Sequence, residues 1–256
     1  MNNVRTVSDA KRAFYSHHTR PISSIYRRVV DELLVEMHLL SVNTDFVYDG
    51  IYALGVVTSF NRFMQGYQPE ADRDSIFVAL CQSVGGSAQQ YHQDATAVQS
   101  AIEGLSLEEL VACFEQAEAQ RGGNALEQTL RAIATRDRFK YSRLFGIGLY
   151  TLLETVDSEA AGDSKRRNAV LTQLCQGIAL SPDKLLKDLD LYRSNLDKLN
   201  QAQSVMQDIM TADRKKRAER AAKDRAQGQA KDSKTEETVT TPAPDSQPPG
   251  SESGDN

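Results

Sequence analysis

Apolar residues recur every three or four positions along most of the chain as far as Met210, with polar and charged residues filling the intervals. That is the spacing of helices that each bury one face, and no stretch reads clearly as a strand. The densest signal lies between Ser8 and Asn43. Ser8 is placed to cap a short helix opening at Asp9, whose carboxylate suits the positive end of the helix dipole. His17, His18, Thr19 and Arg20 then form a polar elbow. Pro21 disfavours helical geometry at Arg20 but fits the opening turn of a second helix. There Ile22, Tyr26, Val29, Leu33, Met37 and Leu40 make a stripe that Ile25, Val30 and Leu34 widen, while Arg27, Arg28, Asp31, Glu32 and Glu36 fall mainly opposite.

Further helices follow in order. Asn43 or Thr44 can cap a third, carrying Phe46, Ile51, Leu54 and Phe60, in which Gly50 and Gly55 mark close approach of a neighbouring backbone. Pro69 opens a fourth that stops at Gly85 and Gly86. Ser87 to Glu103 is mostly polar, as expected of an outer helix covered on one side. Ser106 and Glu109 form a capping-box pattern, Asn124 can cap the next helix, and a break is expected near Asp137. Tyr141 to Glu154 is the most hydrophobic piece and reads as the central buried helix, with Gly146 and Gly148 admitting close neighbours. Asp163 or Ser164 begins another.

Ser181 and Pro182 open the last and longest helix. Leu185, Leu189, Tyr192, Leu196, Leu199, Gln203, Met206 and Met210 step by four and three, the seam of a helix that pairs along its length, either on its own domain or as an intermolecular coiled coil. Past Thr211 the apolar positions give way to a basic, Ala-rich run. Helical from Pro182 to Arg225, this element would extend about 65 Å at about 1.5 Å per residue. From Thr235 the chain is rich in Pro, Ser, Thr and acids, the composition of a disordered segment. The expectation is an all-α fold: a multi-helix globular bundle over 1–180, a long amphipathic, coiled-coil-like helix over 181–226 that packs on the bundle and projects from it, and a disordered tail over 227–256.

The net charge of -5 argues against a general nucleic-acid binder. Three well-separated cysteines, Cys81, Cys113 and Cys175, each in an apolar helical context, read as reduced core residues. No run of about twenty apolar residues could span a bilayer. The opening segment MNNVRTVSDAKR has neither a signal-peptide core nor the length of a transit peptide, so the expectation is a protein made where it works or already processed.

Chemistry is sparse. His17 and His18 point about 100° apart on a helix and lack a Cys, Asp or Glu at ligand spacing, and His38 and His92 are isolated. GGSAQQ lacks the Gly-Lys pair of a phosphate loop. No catalytic residues, metal ligands or cofactor are expected, nor a small-molecule substrate. Two surfaces stand out as candidates. One is the elbow with His17, His18 and Arg20, expected to be an exposed partner surface. The other is Arg214, Lys215, Lys216 and Arg217, which heads a basic run that can meet anionic lipid head groups or a partner, at about 1 kcal/mol per basic residue near a membrane surface.

The strings TVSDAKRAFYSHHTRPISSIYRRVVDELLVEMHLLSVN, FVYDGIYALGVVTSFNRFMQGY and RFKYSRLFGIGLYTLLE resemble the thylakoid formation protein family, the photosystem II biogenesis proteins of cyanobacteria and chloroplasts, from about Thr6 to Met210. The resemblance implies a helical, non-enzymatic factor in thylakoid biogenesis and photosystem II repair, associated with the membrane-bound FtsH protease complex and needed for its accumulation. It implies a cyanobacterial type of protein, peripheral on the cytoplasmic face of the thylakoid membrane. It carries no catalytic residues.

Overall fold

The computed structural model describes residues 5–119 and 123–235, with side chains as far as Arg220. Among them are eleven α-helices, one 3-10 turn and no strand. The helices are α1 (Val7–His17), α2 (Ser24–Ser41), α3 (Gly50–Phe63), α4 (Ala71–Ser83), α5 (Ala88–Ser100), α6 (Leu107–Glu115), α7 (Ala125–Ala134), α8 (Arg143–Val156), α9 (Ser158–Gly162), α10 (Ser164–Gly177) and α11 (Pro182–Thr235). The chain divides after Gln203, inside α11, into two compact units.

In the first unit α3 and α8 form the axis. The side chains of α8 are buried without interruption from Leu144 to Leu153, and eight residues of α3 are buried. Their backbones meet directly: a Cβ on Gly55 would stand 1.7 Å from the Leu144 carbonyl oxygen, and one on Gly148 would stand 2.1 Å from that of Ile51. No side chain larger than hydrogen fits such an approach. The central buried position expected of Tyr141–Glu154 is that of α8, which shares it with α3. α2 buries one face, with Tyr26, Val30, Leu33, Leu34 and Met37, and is tied to α8 by Arg143, whose Nε and Nη2 donate to Glu36 Oε2 at 3.1 and 2.5 Å.

Several helix starts fall where the sequence places them. Ser106 and Glu109 cap α6 reciprocally, Asn124 caps α7, Asp163 caps α10 and Pro182 opens α11. Three differ. Thr6, not Ser8, caps α1: its hydroxyl accepts from the Asp9 N–H at 3.2 Å while the Asp9 carboxylate accepts from the Thr6 N–H at 3.0 Å. Those bonds hold Asp9 below the usual carboxylate range. Pro21 lies ahead of α2, which opens at Ser24. Asp49 caps α3, accepting from the Tyr52 N–H at 2.8 Å, whereas the Asn43 side chain closes a local turn onto the Asp45 N–H. Phe46 and Tyr48 are thereby left outside any helix and pack edge-on against Tyr52 at 4.9 and 5.9 Å.

The seam of α11 changes character at Gln203. Leu185, Leu189, Tyr192 and Leu199 are buried in the first unit, with Leu196 packed beside them. In the second unit Val205, Met206, Ile209 and Met210 are exposed, Met210 to 67%. The helix continues to Thr235 rather than ending near Ala226, because the Ala- and Lys-rich sequence keeps favouring helix. The rest of the tail, 236–256, lies outside the described residues.

Candidate interaction surfaces

The elbow is a joint before it is a surface. His17 is exposed, but His18 is 2% exposed, packed against Phe14 with Nδ1 3.0 Å from Ser75 Oγ. Burial is the largest influence on His18 and lowers its pKa, which favours the neutral ring; Asp72 opposes this. Arg20 reaches across the same gap and pairs with the buried Asp72 carboxylate. The segment between α1 and α2 is therefore fastened to α4 at two points, and the expectation that His18 is exposed is corrected. Adjacent polar residues in a turn gave no hint of this, since Asp72 and Ser75 belong to another helix. His17, Thr19 and the outer part of Arg20 remain accessible.

The second unit carries the basic candidates. Arg214, Lys215, Lys216 and Arg217 are exposed, and Arg217 pairs with Asp213 at 3.1 Å one turn earlier. Steps of three and four from Met206 through Met210 lead to Asp213, Arg217 and Arg220. One side of this helix thus runs from apolar to charged, basic in the majority.

Elsewhere, no group of three or more metal-ligating side chains exists among the described residues. Burial pushes the Cys81 thiol up to about 12 and Cys175 up to about 11, and raises Cys113 as well. Such thiols are poor nucleophiles at neutral pH. Tyr48 donates to Asp94 at 2.7 Å beside Asp49, whose burial moves its carboxyl up to about 6. Among the described residues no helix is long and apolar enough to cross a membrane.

The thylakoid formation protein model matches residues 6–221. Protein Thf1 of Crocosphaera subtropica is 58% identical over 219 residues, covering 85% of this chain and 89% of that protein. Protein Thf1 of Trichormus variabilis is 57% identical over 220 residues, covering 86% and 94%. The solved structure of Psb29 superposes with a TM-score of 0.74 at 47% identity, covering 84% of this chain and 99% of that one. A match that spans the helical body and runs into α11, at these identities, means that the chain belongs to the thylakoid formation protein family and shares its role in thylakoid biogenesis.

Proposed function

We propose that the protein is a non-enzymatic accessory factor in photosystem II assembly and repair, acting by association with the FtsH protease complex and stabilisation of it from the cytoplasmic face of the thylakoid membrane. The observation that carries this reading is the family match, which runs from the capped start of α1 into the exposed part of α11. The accessible elbow residues His17 and Arg20 and the outward face of α11 offer contacts for a protein partner. A factor of this kind needs surfaces rather than a reaction centre, and the exposed Val205–Met210 stripe supplies apolar area of the sort interfaces bury. Deletion of the chain should lower FtsH abundance and slow recovery of photosystem II after strong light. Unchanged FtsH levels would overturn the reading.

A second reading rests on the exposed Arg214, Lys215, Lys216 and Arg217: a peripheral lipid-binding structural factor whose basic helix rests on anionic head groups. Co-sedimentation with anionic liposomes should then fall when Arg214 to Lys234 is removed, and fall with added salt. An unaffected pellet would dismiss it.

A further inference from the structure

Within the first unit, α2, α3, α8 and the Tyr192–Ala202 stretch of α11 line a partly open cavity of about 420 Å³. Interiors of proteins are packed with few voids larger than a water molecule, and this volume falls in the range of about 300–1,000 Å³ found for small-ligand sites. Its walls are mainly apolar, with Ile25, Val29, Leu33, Phe63, Ile147 and Leu199. One residue beside them breaks the pattern. Ser59 is fully buried, and its Oγ has no hydrogen-bond partner. A buried hydroxyl left in that condition costs folding free energy, and with no accessible surface it lies behind the wall rather than open to an occupant.

The mouth is polar and unevenly charged. Arg28, Arg143 and Lys198 stand there against the single carboxylate of Glu32. Arg28 Nε is bonded to Glu32 at 2.9 Å, and Arg143 is engaged by Glu36. Lys198 is exposed and takes part in no ion pair among the described residues. The same rim opens into a wider groove of about 1170 Å³ along α2 and α11, where Lys11, Arg27 and Lys184 add further positive charge among Asp31, Glu36 and Asp188.

We propose that this cavity binds a free single-chain amphiphile with an anionic head: the apolar body lies between α2, α3, α8 and α11, and the head group rests on Lys198 with Arg28 beside it. The volume of the cavity proper suits one chain. The excess of cations at the mouth selects an anion over a cation. The site is separate from the Val205–Met210 stripe and the basic cluster after it.

The test uses the full chain and an 11-(dansylamino)undecanoate probe, with palmitate as competitor. Saturable binding of one probe per chain, displaced by palmitate, is expected. Lys198 and Ala202 are both exposed at the rim, so their substitution should leave the fold intact by circular dichroism. Lys198→Glu should weaken the probe by about tenfold, and Ala202→Trp should close the entrance and abolish binding. Lys187→Glu, exposed but away from the cavity, and Met206→Ser with Met210→Ser should leave binding unchanged. No saturable binding would overturn the proposal, as would equal binding by both rim variants. Binding seen only with sealed phosphatidylglycerol vesicles, and lost without Arg214 to Lys234, would assign the affinity to the basic helix and also overturn it.

Discussion

Gln203 Nε2 donates to the phenol oxygen of Tyr26 at 3.2 Å and to the main-chain carbonyl of Gln65 at 2.9 Å, and Tyr26 donates to that same carbonyl at 3.2 Å. The one polar position in the α11 seam thus ties the helix to the first turn of α2 and to the turn after α3. Gln203→Ala should lower the stability of the first unit by about 1 kcal/mol or less, because the site is partly solvated and Tyr26 keeps its bond to Gln65. Urea unfolding measures the loss, and hydrogen exchange at residues 199–203 should quicken before the α3 amides respond. Uniform acceleration would show that Gln203 does not act as a local tie.

Gly148→Ala and Gly55→Ala would each drive a methyl into a carbonyl of the partner helix. In an exposed helix the same change adds about 1 kcal/mol of stability. Here α3 and α8 must separate, so each variant should lose about 3 kcal/mol or more, in the range of severe core disruption. Gly162→Ala, where nothing stands within 4 Å, is the control and should be neutral or slightly stabilising.

Glu36 is largely buried, and desolvation raises its pKa despite the Arg143 guanidinium. Arg143→Met would strand that carboxylate, with an expected loss of about 3 kcal/mol at pH 8. Adding Glu36→Leu removes the stranded charge and should recover most of it. A double variant as unstable as the single one would mean that packing, not charge, is at stake.

Asp49 gives a pH signature. Its carboxyl stands at about 6 against an ordinary 3.8, with burial the largest cause. The folded chain then holds this proton more tightly than the unfolded one, so the group's contribution falls as pH rises from about 4 to 6 and the penalty is complete above that. Asp49→Asn keeps an acceptor for the Tyr52 N–H and removes the charge. It should be more stable than the parent at pH 8 by up to about 3 kcal/mol, with the gap closing toward pH 4 in thermal unfolding curves. A gap that does not change with pH would refute the assignment.

Features set by neighbours in sequence were readable in advance. The caps at Ser106, Asn124 and Asp163, the start at Pro182 and the close approach at Gly55 and Gly148 all follow from local rules. The choice of Asp49 over Asn43 does not, since both are good caps and the decision lies with Phe46 and Tyr48 packing on Tyr52. His18 misleads for a similar reason: a run of polar residues in a turn signals solvent until Ser75 arrives from α4. The seam of α11 is continuous as a pattern, yet burial stops at Gln203, because periodicity says which side is apolar and not what lies against it. The cavity is least legible of all. Space is a property of how side chains fail to meet, and no residue spells it.

The three thiols carry a consequence for the setting in which such a protein works. A cysteine is attacked by peroxide or by a disulfide as its thiolate, and burial keeps Cys81, Cys113 and Cys175 in the thiol form. The three thiols therefore offer oxidants generated near an illuminated membrane little to consume, and oxidation of the chain should fall instead on the exposed thioethers of Met206 and Met210.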